Sequence, residues 1–239
     1  NLMKNLVFMP PKCQIRDPSL AVLYTKHHSY ILVKELLVSN CDKYIIVSHG
    51  NADDIHSSLE WSKYCLLRNI KVNIITYEYT GYTTEETNAF YLSYNKHKPQ
   101  YFSQFEPSEQ YCYGDIEAVY EYLINVRNVL PKNIIALGRS LGTGPSCYLA
   151  QKYDIGGLIL SAGFSSILRV ILDLRFTFIF DMFPNIDRMS TISCPVTIIH
   201  SLDDELVPLS NALDLIEKSK NSFDPLLLRG PGHAYLDRN

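Results

Sequence analysis

The chain has 239 residues, 46% hydrophobic and 20% charged, with a net charge of −3 and six cysteines. This is ordinary globular composition, with enough material for one α/β domain and a large core. The negative balance and the lack of any Lys/Arg run argue against nucleic acid as a partner. No Cys-x-x-Cys pair occurs among Cys13, Cys41, Cys65, Cys112, Cys147 and Cys194, so zinc and thioredoxin-like chemistry lack their signature. The cysteines read as free thiols of a reducing, cytoplasmic compartment.

In chain order, β-like runs are expected at 5–8, 21–24, 30–33, 44–48, 72–77, 134–137, 158–161, 196–200 and 226–228. The early runs follow one another without helices and suggest an antiparallel N-terminal meander. The later ones are continuously apolar, as strands buried on both faces of a parallel sheet are. Helical patterns fall between them at 55–69, 115–127, 145–153 and 209–218. Alternation of this kind predicts a mostly parallel, doubly wound sheet in a single domain over 1–239.

Two stretches exceed the minimal pattern. Residues 83–114 are polar but rich in tyrosine and read as an insertion loop, a surface feature before a lid. Residues 164–194 have a dense apolar centre and read as a small cap-like segment. Within it, Ile167, Ile171, Phe176 and Phe180 are candidates for an acyl groove, with ordinary core packing as the bland alternative. The apolar run 167–183 is interrupted by Arg169, Asp173, Arg175 and Asp181, which speaks against a membrane span. No signal peptide is visible, and a chain starting at Asn1 leaves room for an upstream anchoring piece.

The most informative segment is Gly138-Arg139-Ser140-Leu141-Gly142, a Gly-x-Ser-x-Gly placed between an apolar strand and a helix. Such a turn is tight, and it holds a serine hydroxyl above the sheet edge as a nucleophile. A serine hydroxyl is weak at neutral pH and needs a base and a group that orients the base. Downstream of Ser140 only His200 and His233 remain. His200 ends a strand and reads as ordering the next loop. His233, in a glycine-rich loop after the last strand, is the expected base. The orienting acid is expected on the loop after the strand 196–200, with Asp204 favoured over Asp203. Two backbone N–H groups must face the developing oxyanion. Leu141, next to the nucleophile at a helix N-terminus, is one, and Asn51, in Ser48-His49-Gly50-Asn51-Ala52, is the other. His49 itself reads as a structural hydrogen-bonder.

These motifs resemble the α/β-hydrolase superfamily, and within it the membrane-associated depalmitoylases. The similarity runs from about Pro10 to His233 and includes Tyr77-Glu78-Tyr79-Thr80-Gly81-Tyr82, Phe183-Pro184-Asn185-Ile186-Asp187 and Cys194-Pro195-Val196-Thr197-Ile198-Ile199-His200. The resemblance implies the α/β-hydrolase fold, a Ser140–His233–Asp204 triad and oxyanion donors at Asn51 and Leu141. It also implies an acylated protein or lipid-like ester as substrate, contact with the cytoplasmic face of membranes, and no metal or organic cofactor. Departures are Ser201 where the family usually has glycine, Ala234 after the histidine, and the longer 83–114 segment. The family's cysteine-rich N-terminus does not occur within residues 1–239. A generic carboxylesterase or lysophospholipase, and a non-catalytic hydrolase-fold binding module, are the competing readings.

Overall fold

A computed structural model describes residues 7–12, 14–172, 180–230 and 232–233. The chain resolves into two compact units, Asn1–Val129 and Leu130–Asn239.

In the N-terminal unit the strands are β1 (Ala21–Tyr24), β2 (Tyr30–Leu36), β3 (Tyr44–Ser48) and β4 (Asn73–Tyr77), in the spatial order β1-β2-β4-β3. β1 and β2 form an antiparallel hairpin (Ala21↔Val33). Its turn is closed by Thr25 N–H to Ser29 C=O at 2.9 Å and by the paired hydroxyls of Thr25 and Ser29 at 2.7 Å. β2 also pairs antiparallel with β4 (Val33↔Tyr77), whereas β3 and β4 are parallel (Tyr44↔Asn73). A parallel pair needs a crossover, and helix α1 (Ile55–Leu67) supplies it. Asp54 starts that helix through a capping box: its carboxylate accepts the Ser57 N–H at 2.9 Å, and the Ser57 hydroxyl accepts the Asp54 N–H at 3.0 Å.

Residues 83–114 are not the loop expected from their polarity. They hold helix α2 (Glu85–Tyr94), a 3₁₀ turn (Pro99–Phe102) and the start of helix α3 (Glu109–Asn125). Thr84 and Ser108 accept N–H groups from Thr87 and Tyr111 and so begin the two helices. The buried face of α2 is Thr87, Asn88 and Tyr91, and that polarity disguised the helical period. Tyr91 and Phe102 pack with Ile15, Leu20, Tyr30, Leu32, Ile55 and Leu59 in one apolar cluster. The run at 5–8 is likewise no strand where described: Val7 and Phe8 are buried side chains outside the sheet.

In the C-terminal unit β5 (Ile134–Arg139), β6 (Gly157–Ser161), β7 (Val196–Ser201) and β8 (Leu226–Leu228) pair in that order, all parallel. Helices α4 (Thr143–Lys152), α5 (Ile167–Leu172), α6 (Asn185–Met189) and α7 (Leu209–Lys218) lie in the crossovers. Ile134, Ala136, Leu160 and Ile198 have no exposed surface, which accounts for the unbroken apolar runs of these strands. Parallel order carries every strand's C-terminal end to one edge of this sheet, and the loops that leave that edge hold the site.

Candidate active site

Strand β5 ends at Arg139, and Ser140 follows at φ +49°, in the left-handed region that non-glycine residues avoid. The chain then enters a 3₁₀ turn (Ser140–Gly142) and α4. This strained turn is the nucleophile elbow, and holding it costs roughly 1–3 kcal/mol of local strain. Gly138 is required by close approach: a Cβ there would stand 2.3 Å from the Gly142 carbonyl oxygen. Gly142, expected to be needed for the same reason, has φ −63°, a backbone any residue adopts. Its carbonyl is what Gly138 makes room for. The Thr143 hydroxyl donates to the Ser140 carbonyl at 2.7 Å and fastens the turn from inside the helix.

Helix α4 is held by Phe183, which has no exposed surface. A Cβ on Gly144 would lie 2.2 Å from the Phe183 ring. Gly144→Ala therefore sets a gain in helix propensity of about 1 kcal/mol against overpacking of a buried ring. The ring is fully buried, so relieving that approach disturbs its packing and a net loss of about 1–3 kcal/mol is expected. A urea-unfolding midpoint below that of the parent protein checks this.

Ser140 Oγ lies 3.0 Å from His233 Nε2, and His233 Nδ1 lies 2.8 Å from Asp204 Oδ2. The three residues form a continuous Ser–His–Asp relay, with His233 buried and the Asp204 side chain wholly enclosed. Burial by itself would raise the Asp204 carboxyl. The His233 hydrogen bond and the N–H groups of Val207 (2.8 Å) and Leu206 (2.9 Å) outweigh it and hold the carboxyl below its usual value. Asp204 is thus a carboxylate at neutral pH. It keeps the Nδ1 proton in place and leaves Nε2 free to accept from Ser140.

Both neighbours of Asp204 also hold the histidine loop, a role that reading the sequence missed. Asp203 Oδ2 accepts the Gly230 N–H at 2.7 Å, and Glu205 Oε2 accepts the His233 N–H at 3.0 Å. The available signal was the run of three consecutive carboxylates. His200 orders this loop as expected: its Nε2–H donates to the Val207 carbonyl at 3.0 Å. It sits 3.8 Å from Asp204, and burial keeps it below the ordinary histidine value, so it is neutral.

Leu141 is the first residue after the nucleophile and is buried. N–H groups in the first turn of a helix have no intrahelical partner. Asn51 lies in the N-terminal unit, on the loop after β3. Its side-chain oxygen accepts the Met9 N–H and the Tyr82 hydroxyl, each at 2.8 Å. Of the groove candidates, Ile167 is buried, Ile171 and Phe180 are 47% and 81% exposed, and Phe176 lies outside the described residues. Cys41, Cys65, Cys112, Cys147 and Cys194 are in no disulfide, while Cys13 also lies outside the described residues.

The chain is 36% identical over 194 residues to alpha/beta hydrolase domain-containing protein 17C of Xenopus tropicalis, covering 81% of this chain and 56% of that protein. It is 35% identical over 202 residues to human alpha/beta hydrolase domain-containing protein 17B, covering 81% and 64%. The chain belongs to the α/β-hydrolase superfamily. It spans just over half to about two thirds of the length of these relatives. No family model matches it. Among solved structures, the Pyrococcus furiosus esterase Pf2001 superposes with a TM-score of 0.70 at 13% identity, covering 95% of this chain and 91% of that one. Mouse alpha/beta hydrolase domain-containing protein 10 gives 0.59 at 17% identity, covering 90% of each. These superpositions show the α/β-hydrolase fold, with its antiparallel N-terminal strands and parallel remainder. Among the described residues, no helix is long and apolar enough to cross a membrane.

Proposed function

We propose that this α/β-hydrolase chain cleaves acyl thioesters or esters through an acyl-enzyme, acting on S-acylated proteins. The observation that carries the reading is the Ser140–His233–Asp204 relay, with links of 3.0 and 2.8 Å. His233 Nε2 takes the Ser140 proton as Oγ attacks the acyl carbonyl. The N–H groups of Leu141 and Asn51 are the proposed donors to the oxyanion. As the tetrahedral intermediate collapses, His233 returns the proton to the leaving thiol or alcohol. It then draws a proton from water, and the hydroxide formed attacks the acyl-serine. A second collapse frees the acid and restores Ser140.

Thioesters suit this machinery. A cysteine thiolate leaves readily because its conjugate acid has a pKa of about 8.5. A palmitoyl substrate adds a demand, since drawing roughly 15 methylenes out of lipid forfeits about 12 kcal/mol. Apolar surface must offset much of this, and the exposed Ile171 and Phe180 are the proposed contacts, with Ile167 and Phe176, at the cytoplasmic face of a membrane. The several esterases among the structural neighbours favour, as second reading, a generic carboxylesterase.

A series of acyl thioesters from butyryl to palmitoyl separates the two. For the depalmitoylase reading, kcat/KM rises with chain length by roughly tenfold or more, because even two well-buried methylenes contribute about 1.6 kcal/mol. A profile that peaks at butyryl assigns the site to short esters. Failure of a fluorophosphonate to label Ser140 in folded protein assigns the chain to the binding modules instead.

A further inference from the structure

Two hydrogen bonds aim the ring of His233: Nδ1 is 2.8 Å from Asp204 Oδ2, and Nε2 is 3.0 Å from Ser140 Oγ. The second does not last through the proposed reaction. Once Oγ carries the acyl group it has no proton to give Nε2. From then on the ring keeps its aim through Asp204 and through the backbone that carries it.

That backbone lies in a loop with little stiffness of its own. Gly230 and Gly232 stand at φ +98° and +61°, and glycine populates either sign of φ about equally readily. Side chains from elsewhere in the C-terminal unit hold the loop instead, and at His233 they grip both polar groups of the backbone. The His233 N–H donates to Glu205 Oε2 at 3.0 Å. The His233 carbonyl accepts from Arg139 Nη2 at 3.4 Å, a long bond from the residue just before the nucleophile. The Glu205 bond is the shorter, and a carboxylate is a stronger acceptor than a neutral oxygen.

Gly232 makes room for that carboxylate. A Cβ at 232 would stand 2.9 Å from Glu205 Oε2, whereas a Cβ at Gly230 would meet nothing within 4 Å. The backbone nitrogen of His233 is one bond from the Cα that bears the ring. With that nitrogen held, the side-chain rotations remain, and the Asp204 bond sets those.

We infer that Glu205 is a positioning residue for the base: its carboxylate fixes the His233 N–H, and with it the place from which the imidazole serves Ser140 and then water. The inference deepens the proposed acyl-transfer reading and rests on it. The bond is to the backbone and not to the ring, so the effect of Glu205 passes through the placement of His233.

Two substitutions at this exposed side chain test it. Glu205→Ala removes the acceptor, and Glu205→Gln keeps an acceptor oxygen while removing the charge. On one p-nitrophenyl ester, Glu205→Ala is expected to lower kcat about 10- to 100-fold, the scale set by misplacing a catalytic group by up to an ångström, with KM raised less than about twofold. Glu205→Gln is expected to restore kcat to within about threefold of the parent protein. A merely structural role would lower the melting temperature without that kcat–KM split and without the rescue. Should Glu205→Ala fail to fold, Gly232→Ala crowds the same carboxylate off the N–H, and kcat is expected to fall about tenfold or more. Full kcat in folded Glu205→Ala or Gly232→Ala protein, or equal losses in Glu205→Ala and Glu205→Gln, overturns the inference and leaves the acyl-transfer reading standing. Undiminished turnover by Ser140→Ala removes the acyl-transfer reading itself.

Discussion

Replacing Ser140 by alanine is expected to lower kcat for ester hydrolysis by about 10⁴- to 10⁶-fold without unfolding the protein. The hydroxyl lost is the one held 3.0 Å from the His233 base, and water at that place has neither its orientation nor a covalent path. Alanine keeps the Cβ, so the left-handed backbone at φ +49° is no more strained than before. The residual rate measures what the oxyanion donors contribute alone. Hydrolysis of a p-nitrophenyl ester, fluorophosphonate labelling and a thermal melt read the three aspects. Retained labelling would place the nucleophile elsewhere.

Asp204→Asn is expected to cost about 10⁴-fold in kcat, with a change in KM of a few-fold at most. The loss comes from the wrong imidazole tautomer. In the parent protein the carboxylate accepts from Nδ1–H, which leaves the lone pair of Nε2 toward Ser140. An asparagine can turn its NH₂ toward Nδ1, which then accepts, and the proton moves to Nε2. The ring then donates to Ser140 Oγ and cannot take its proton. The backbone links of Asp204 Oδ1 to Leu206 and Val207 survive through the amide oxygen, so the loop keeps its shape. Asp203→Asn serves as the control, because Asp203 binds the Gly230 N–H and does not touch the ring. Steady-state kinetics of both variants on one thioester decide it. Equal losses in the two would reassign the acid.

The reading of His200 against His233 shows how far local pattern reaches. His200 lies within β7, and His233 follows β8. One ends inside its strand and is pinned by Val207; the other lies beyond a glycine-containing turn and reaches Ser140. Position at the end of a strand against a glycine-rich loop beyond one distinguished them, because freedom after a strand's C-terminal end is a local property. The choice of Asp204 over Asp203 rested on spacing, and the structure places Asp204 on the histidine. The helix at 85–94 was illegible for the opposite reason. Its buried face is threonine, asparagine and tyrosine, whose burial is offset by hydrogen bonds such as Tyr30 OH to Asn88 at 2.6 Å and Ile15 N–H to Thr87 at 2.8 Å. Those partners are 58 and 72 residues away in the chain.

The amino-acid order by itself determined the strand–turn–helix around Ser140, the parallel character of the later strands and the three residues of the relay. Each is written in neighbouring residues: an unbroken apolar run, a glycine where backbone meets backbone, a loop composition after a strand. Only the tertiary structure decided what surrounds them. It set Phe183 against Gly144, shared the Asp203 and Glu205 carboxylates with the histidine loop, and buried a hydrogen-bonded His49–Glu78 pair beside the Gly50 carbonyl. Hydrogen bonds and close packing between residues far apart in the chain depend on where folding brings them. No local propensity records that.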